Sequence, residues 1–408
     1  MNKKVAIFPK DGMLVKRNRK GKMAMKLVVI GGGSSYTLEL IEGVINHQKS
    51  LPITEVVLAD IEMGREKLFI NTEFTRRMIK KAGLSIEVKG TLDRKEALFG
   101  ADFIITQIRV GGLDARERDE RIPLKYGMIG QETTGIGGCL KALRTIPVIL
   151  DICKDIEKLC PEDLDCRFIG LNHLSVMNHA YLSGEDKIKD VLNVFNRESV
   201  VKNIEKNEEM DEIAKALGCM LSPYLQYFYL EKKMFHEERQ QALGLLGTRA
   251  NQVKKVEQEL FLKYQDENLK EKPEALSKRG GARYSQAAIN LIDSIYNDTK
   301  DVQVVDVQNQ GLIPQLLEDA VIETNCVIGK DGAKPLRDTQ VPREVLGLIC
   351  QVKSYENFTI EAALSGDRNK AFLAFLNHPL VHDAVDAKGA LEEMLEANRE
   401  YLPAFFPG

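Results

Sequence analysis

The chain has 408 residues, of which 44% are hydrophobic, so it is long enough for more than one domain and for sizeable buried cores. Lys plus Arg number 57 against 60 Asp plus Glu, a formal charge of −3 that gives no reason to invoke nucleic acid or an anionic membrane as partner and leaves small molecules. No apolar run approaches the ~18 residues of a membrane span and no secretory h-region follows Met1, so the cytoplasm is the expected location. The cysteines (Cys139, Cys153, Cys160, Cys166, Cys219, Cys326, Cys350) are odd in number and form no Cys-x-x-Cys pair, as reduced thiols would be.

Residues 1–24 form a basic leader, with Lys3, Lys4, Lys10, Lys16, Arg17, Arg19, Lys20 and Lys22 against the single acid Asp11. It is expected to be poorly ordered; a small hairpin turning at Asp11-Gly12 is the other reading. From Lys26 the pattern repeats as strand, turn and helix. Strands are predicted over 26–30, 55–58, 85–88 and 101–108, with helices after Gly33 and over 65–81. Residues 114–121 are a charge run, read as a solvated face. The glycine-dense stretch 127–138 reads as a loop, and a long helix is predicted over 140–159. Beyond Asp186 the chain is mostly helical, with amphipathic stretches at 210–217, 223–235, 249–264, 283–296, 342–355 and 390–400, interrupted by extended pieces at 302–307 and 321–327.

This order predicts an α/β fold: a Rossmann-like, doubly wound parallel sheet, cut short after its fourth strand, followed by a mostly helical α+β region, as in lactate/malate dehydrogenase-like folds. The expected domains are a nucleotide-binding one over 25–165 and a substrate- and metal-binding one over 166–408. Gly31-x-Gly33 lies between a strand and a helix, where amides and the helix dipole hold a pyrophosphate, and Gly31, Gly33, Ser34 and Ser35 are the candidate contacts. The third glycine of the usual fingerprint is replaced by Tyr36. Asp60 closes the second strand and favours NAD over NADP, since a carboxylate accepts from a ribose 2′-hydroxyl and repels a 2′-phosphate. Arg109, at the end of the fourth strand, stands where ligands bind in such sheets; its blander reading is a surface ion pair with the acids of 114–120.

Several separated segments resemble family 4 glycoside hydrolases: Gly31-Gly32-Gly33-Ser34-Ser35-Tyr36-Thr37, Gln107-Ile108-Arg109-Val110-Gly111-Gly112, Gly130-Gln131-Glu132-Thr133-Thr134-Gly135, Ala142-Leu143-Arg144 and Gly170-Leu171-Asn172-His173. Lys278-Arg279-Gly280-Gly281 with Tyr284, and the end from His378-Pro379-Leu380 to Tyr401, extend the likeness almost to the C-terminus. The resemblance, closest to 6-phospho-β-glucosidases, implies hydrolysis that uses NAD and a divalent metal, manganese, in place of two carboxylates. On this resemblance hydride would leave sugar carbon 3, Tyr284 as base would remove the proton at carbon 2, the aglycone would leave carbon 1, water would add and the ketone would be reduced again. The resemblance further implies His173 as metal ligand, Arg109, Glu132 and Asn172 as substrate contacts, a phosphorylated sugar as substrate, and a homo-dimer or tetramer.

The sequence departs from the family after residue 159. Where the family has strand, helix, strand and a metal-binding cysteine, Cys160 to Arg167 leads straight into Phe168-Ile169-Gly170, so an internal deletion around 161–165 is inferred. A glutamine, Gln308, also stands where the family has an arginine. The rival readings are a remnant that keeps the scaffold without turnover, and an ordinary NAD dehydrogenase.

Overall fold

The computed structural model describes residues 25–159, 174–194, 207–279, 284–337 and 340–407. The leader and its hairpin reading therefore lie outside the described residues, as do Cys160, Cys166, Asn172 and His173.

Four parallel strands, β1 (Met25–Ile30), β2 (Ile53–Ala59), β3 (Glu87–Thr91) and β4 (Phe103–Thr106), form a sheet in the order β3-β2-β1-β4. They alternate with helices α1 (Thr37–Asn46), α2 (Arg65–Lys81) and α3 (Arg94–Leu98), and are followed by α4 (Gly112–Lys125) and α5 (Gly135–Leu159). Successive β1 side chains point to opposite faces. Leu27 and Val29 join Val56, Leu58 and residues of α1 and α2 on one side, while Val28 and Ile30 join Val57, Ala59, Leu98, Ile152 and Ile156 on the other. Both faces are thus covered by helices, the doubly wound arrangement expected, and each fully buried aliphatic contributes roughly 1.5–3 kcal/mol.

The short pairs β5 (Val176–Met177) with β8 (Met220–Leu221) and β6 (Tyr181–Leu182) with β7 (Glu185–Asp186) begin the second region, together with α6 (Ile188–Val194) and α7 (Glu209–Leu217). Then come α8 (Gln226–Tyr229), α9 (Glu231–Leu243), α10 (Arg249–Tyr264) and α11 (Tyr284–Asn297), an antiparallel sheet of β9 (Val302–Gln308), β10 (Val321–Gly329) and β11 (Gly332–Pro335), and α12 (Arg343–Ser365), α13 (Arg368–Asn377) and α14 (Ala384–Ala397). Local signals set these boundaries. Thr248 and Asn251 form a capping box at α10, Asp367 and Asp383 cap α13 and α14, and Gly366, at φ +70°, ends α12 in the left-handed region that suits glycine.

The core on one face of the parallel sheet includes Leu260 and Tyr264 of α10 and Ile289 and Ile292 of α11. A second core joins α4 and α5 to α12, α13 and α14 through Ile122, Leu140, Leu143, Ala362, Phe375 and Leu391. No helix among the described residues is long and apolar enough to cross a membrane.

Three readings are corrected. The charge run 114–121 is not a solvated face: α4 turns Arg116, Asp119 and Glu120 inward, because these positions share one helical face with Ala115 and Ile122. The long helix begins at Gly135, not at 140. Glycines mark that stretch as loop in the sequence, yet a Cβ on Gly137 would lie 2.3 Å from Gln131 O and 2.6 Å from Asp119 O, so the small residue serves close packing against α4 within the helix. Helix α12 runs on to Ser365, well past the predicted end at 355.

Candidate active site

The first wall of the site is the turn after β1. The N–H groups of Gly31 and Gly32 both donate to Ala59 O, at 2.8 and 2.9 Å, and Gly33 N–H donates to Asp60 Oδ2 at 2.7 Å. Gly31 has φ +90°, and a Cβ there would lie 2.6 Å from Gln107 O, so the close approach of β4 demands glycine. Thr37 donates its hydroxyl to Gly32 O (2.9 Å) and accepts from Gln107 Nε2 (2.7 Å), which ties the turn to the β4 exit. Helix α1 then starts without a side-chain cap, at the point where the connections from β1 and β4 diverge. A glycine turn that opens a helix at such a switch point fits a dinucleotide pyrophosphate, by close approach of the backbone and by the helix dipole. Half-buried Asp60 accepts from Gly33 and Ile61 and keeps lone pairs for ribose hydroxyls. Ser34 Oγ accepts from Tyr36 N (3.3 Å), whereas Ser35 is buried and donates its hydroxyl to Glu257 Oε1 of α10 (3.0 Å).

The second wall is a cation cluster. Arg109 follows β4 and pairs with Glu132, which also lies 3.0 Å from Arg116 Nη1 and 3.8 Å from Lys141 Nζ. Glu132 is only 6% exposed. Burial pushes its carboxyl up, but Arg109, Lys141 and Arg116 together outweigh this and hold it down at about 2. Arg116 Nε also donates to Glu120 Oε1 (2.7 Å), and Glu120 Oε2 accepts from Ala250 N at the start of α10 (2.7 Å). Three cations thus face two carboxylates, an arrangement that attracts an anionic ligand. Burial lowers Lys141, the neighbouring arginines adding to this and Glu132 opposing it. The Tyr36 side chain lies within electrostatic reach of Arg116, which places the cluster beside the nucleotide turn.

Behind the cluster, Arg144 and Asp119 form a bidentate pair with side chains fully removed from water, Nη1 to Oδ1 at 2.9 Å and Nη2 to Oδ2 at 2.5 Å. Arg144 Nε donates to Val110 O (3.0 Å), so the pair fixes the residue next to Arg109. Burial pushes Asp119 up to about 6, with Arg144 pulling it down. On the opposite side Glu238 of α9 accepts from Gly130 N–H at 2.9 Å, and Gln131 Nε2 donates to Tyr227 Oη at 2.9 Å. Burial, with Glu120 and Glu237 nearby, raises Glu238 to about 8 against the pull of the Gly130 amide.

The structure therefore gathers Gly31, Gly33, Ser34, Ser35 and Asp60 at one end of the sheet, with Arg109 and Glu132 beside them. Arg109 pairs with Glu132, not with the acids of 114–120. Tyr284 opens α11. Sequence reasoning missed Arg116, Asp119, Lys141 and Glu238; the i, i+3, i+4 spacing of Arg116, Asp119 and Glu120 was the signal that would have found the first two. Among the described residues no three His, Cys, Asp or Glu side chains stand together as a metal site. Cys139 is buried against Thr359 and pushed up to about 12, unlike a ligating thiolate. The described residues fit NAD; they do not by themselves supply a ligand set for a divalent ion.

A parallel half-sheet with a pyrophosphate-ready turn beside a buried cation cluster defines a nucleotide-dependent enzyme of an anionic small molecule. Residues 26–205 match the family 4 glycosyl hydrolase model, and residues 168–381 match the family 4 glycosyl hydrolase C-terminal domain, so the chain belongs to this family. It is 43% identical over 434 aligned residues to a probable 6-phospho-beta-glucosidase of Bacillus subtilis, covering 94% of this chain and 98% of the relative. It is 38% identical to the 6-phospho-beta-glucosidase of Escherichia coli, covering 93% and 97%. Among solved structures, the 6-phospho-beta glucosidase from Thermotoga maritima with NAD and glucose-6-phosphate superposes with a TM-score of 0.82 at 34% identity, covering 93% of this chain and 99% of that one. The same enzyme with manganese, NAD+ and glucose-6-phosphate also gives 0.82, covering 92% and 99%. The Bacillus alignment is longer than this chain's 408 residues, so the relative carries positions that have no counterpart here.

Proposed function

We propose that the chain hydrolyses 6-phospho-β-glucosides with NAD and a divalent metal, manganese, as cofactors. The observation that carries this reading is the cluster of Arg109, Arg116 and Lys141 around Glu132, set against the nucleotide turn in a chain so similar to 6-phospho-β-glucosidases over nearly its whole length. NAD, when bound, supplies a hydride acceptor and returns the hydride later in the cycle. Gly31 and Gly33 let the pyrophosphate approach the turn closely, Ser34 offers it a hydroxyl hydrogen, and Asp60 accepts from a ribose hydroxyl and selects against a 2′-phosphate. Ser35 contributes backbone, since its hydroxyl is engaged by Glu257.

Arg109, with Arg116 and Lys141 behind it, faces the anionic sugar, and Glu132 keeps these cations charged and aimed. Asn172 contacts sugar hydroxyls. Tyr284 takes the proton from carbon 2 once carbon 3 is a ketone, which requires a phenol shifted below its ordinary ~10 by cationic surroundings. His173 would hold the metal. Phosphate recognition proceeds without the arginine that Gln308 replaces, at the end of β9. A homo-oligomer working in the cytoplasm belongs to the same reading. The remnant scaffold is not favoured by near-full-length identity to active-enzyme relatives.

The test is release of p-nitrophenol from p-nitrophenyl 6-phospho-β-glucoside by the purified chain with NAD, manganese and a thiol reductant. Turnover without net NADH, abolished by a chelator and by Tyr284→Phe, is expected. A folded protein that shows no turnover, or one indifferent to the chelator, would overturn the reading.

A further inference from the structure

The turn 130–135 brings Glu132 to its cations, and its far end is fastened from outside the cluster. His378, in the connection between α13 and α14, is 1% exposed and packed edge-on against Tyr355 of α12, ring centroids 4.5 Å apart. Its Nε2 lies 3.0 Å from Gly135 N and 3.2 Å from Thr134 Oγ1, and its Nδ1 lies 3.1 Å from Leu380 N. Tyr355 donates its hydroxyl to Gly135 O at 3.1 Å. Both backbone groups of Gly135, the left-handed residue (φ +65°) that opens α5, are thus held by buried side chains of the helical region.

A neutral imidazole has one in-plane lone pair, and an imidazolium has none. Two backbone N–H groups are aimed at the two ring nitrogens, so an imidazolium would face both donors, and burial accordingly lowers this histidine to about 3. In the neutral ring only one of the two amides is accepted at a time. With the lone pair on Nε2, Gly135 is fastened. With it on Nδ1, Leu380 is fastened and Nε2–H turns to the Thr134 hydroxyl, which leaves the Gly135 amide without its acceptor.

We propose that His378 is a positioning residue for the sugar-binding end of the site: its Nε2 accepts the Gly135 N–H and so fixes the start of α5, and with it Glu132 and Lys141, relative to Arg109. This rests on the glycosidase reading above. The alternative is that the ring serves only the α13–α14 turn through Nδ1. The two differ in which nitrogen matters, and glutamine and asparagine separate them. In His378→Gln the amide oxygen reaches the Nε2 position, whereas in His378→Asn it reaches the Nδ1 position.

The experiment compares both variants with the wild-type chain for kcat and KM on p-nitrophenyl 6-phospho-β-glucoside, with urea unfolding of each as a check on folding. His378→Gln is expected to keep KM within about threefold, and His378→Asn to raise it on the order of tenfold or more with a smaller change in kcat, since sub-ångström misplacement of binding groups is enough for that. Rescue by Asn and not by Gln, or equal behaviour of the two, would overturn the proposal. A second readout needs no turnover. In ¹⁵N-histidine-labelled protein, the His378 ring, assigned by its loss in the variants, should show an unprotonated Nε2 and a protonated Nδ1 at neutral pH, and the reverse would overturn the proposal. If the wild type hydrolyses no phosphoglucoside, the glycosidase reading fails while the nitrogen assignment is still decided.

Discussion

Glu238→Gln should remove a buried titration that weakens the folded protein at neutral and alkaline pH. The Glu238 carboxyl sits at about 8 in the fold, against 4.5 as the ordinary value, because burial and the nearby acids Glu120 and Glu237 disfavour its charge. A group raised in the folded state lends its stability fully below the unfolded value near 4.5 and loses it progressively as pH climbs to about 8. At ~1.4 kcal/mol per unit the whole interval corresponds to at most about 5 kcal/mol, and because the side chain keeps part of its surface in water, about 3 kcal/mol is the expected loss. Glutamine keeps an oxygen for the Gly130 N–H, 2.9 Å away in the wild type, and has no charge to bury. Urea unfolding of both proteins from pH 4 to pH 10 should show the variant gaining on the wild type up to about pH 8 and a constant difference above it. Activity at pH 7 should be close to wild type, because Gly130 is still held. A stability difference that does not change with pH would refute the protonated-acid argument.

Arg144→Met should destabilise the fold by about 3 kcal/mol or more in urea unfolding, since it leaves Asp119 buried without its partner and Val110 O without its donor; a loss under about 1 kcal/mol would mean that the pair is weakly coupled to its surroundings. Gly31→Ala should weaken NAD binding at least tenfold by fluorescence titration, because φ +90° and the 2.6 Å approach to Gln107 O leave no room for a methyl group, roughly 1–3 kcal/mol of strain. Gly33→Ala should be milder, because Gly33 is outside the left-handed region and the nearest backbone atom to an added methyl is Gly64 O at 3.2 Å; equal effects of the two substitutions would count against this reading of the turn.

Three strands of the parallel sheet were legible because β1, β2 and β4 are short apolar runs ended by Gly31, Asp60 and the turn at Arg109, whereas β3, Glu87-Val88-Lys89-Gly90-Thr91, runs over 87–91 and not 85–88. Helix α10 was legible to its ends, Arg249 and Tyr264, because a capping residue precedes a regular apolar stripe. The cofactor turn was legible for the same local reason. What escaped was the buried face of α4. Its inward positions carry Arg116, Asp119 and Glu120, so a hydropathy period sees a polar segment even though the burial period is helical. Charges can occupy that face only because Glu132, Arg144 and the Ala250 amide come from distant parts of the chain to satisfy them, and no local pattern announces such partners. The glycines of α5 misled in the opposite sense. They are usual turn signals, and here they let two helices approach through backbone contact.

The edge at β4 is likewise a matter of partners distant in the chain. Among the described residues β4 pairs with β1 alone, and Phe103, Ile104, Ile105 and Thr106 are each only half-buried. Val148 and Ile149 of α5, which pack on the same core as Ile104, are likewise partly exposed. Among the described residues the β4 edge of the sheet is therefore only partly covered. The pyrophosphate turn does not depend on it, since its partners Ala59, Asp60 and Gln107 all come from the strands that are present. The residues proposed for the sugar and the metal, Asn172 and His173, come after α5 and lie outside the described residues. On the proposed reading nucleotide and metal binding are therefore separable in this chain: the proposed nucleotide contacts sit at the end of the four-strand sheet, and the proposed metal ligand, His173, follows α5 in the chain.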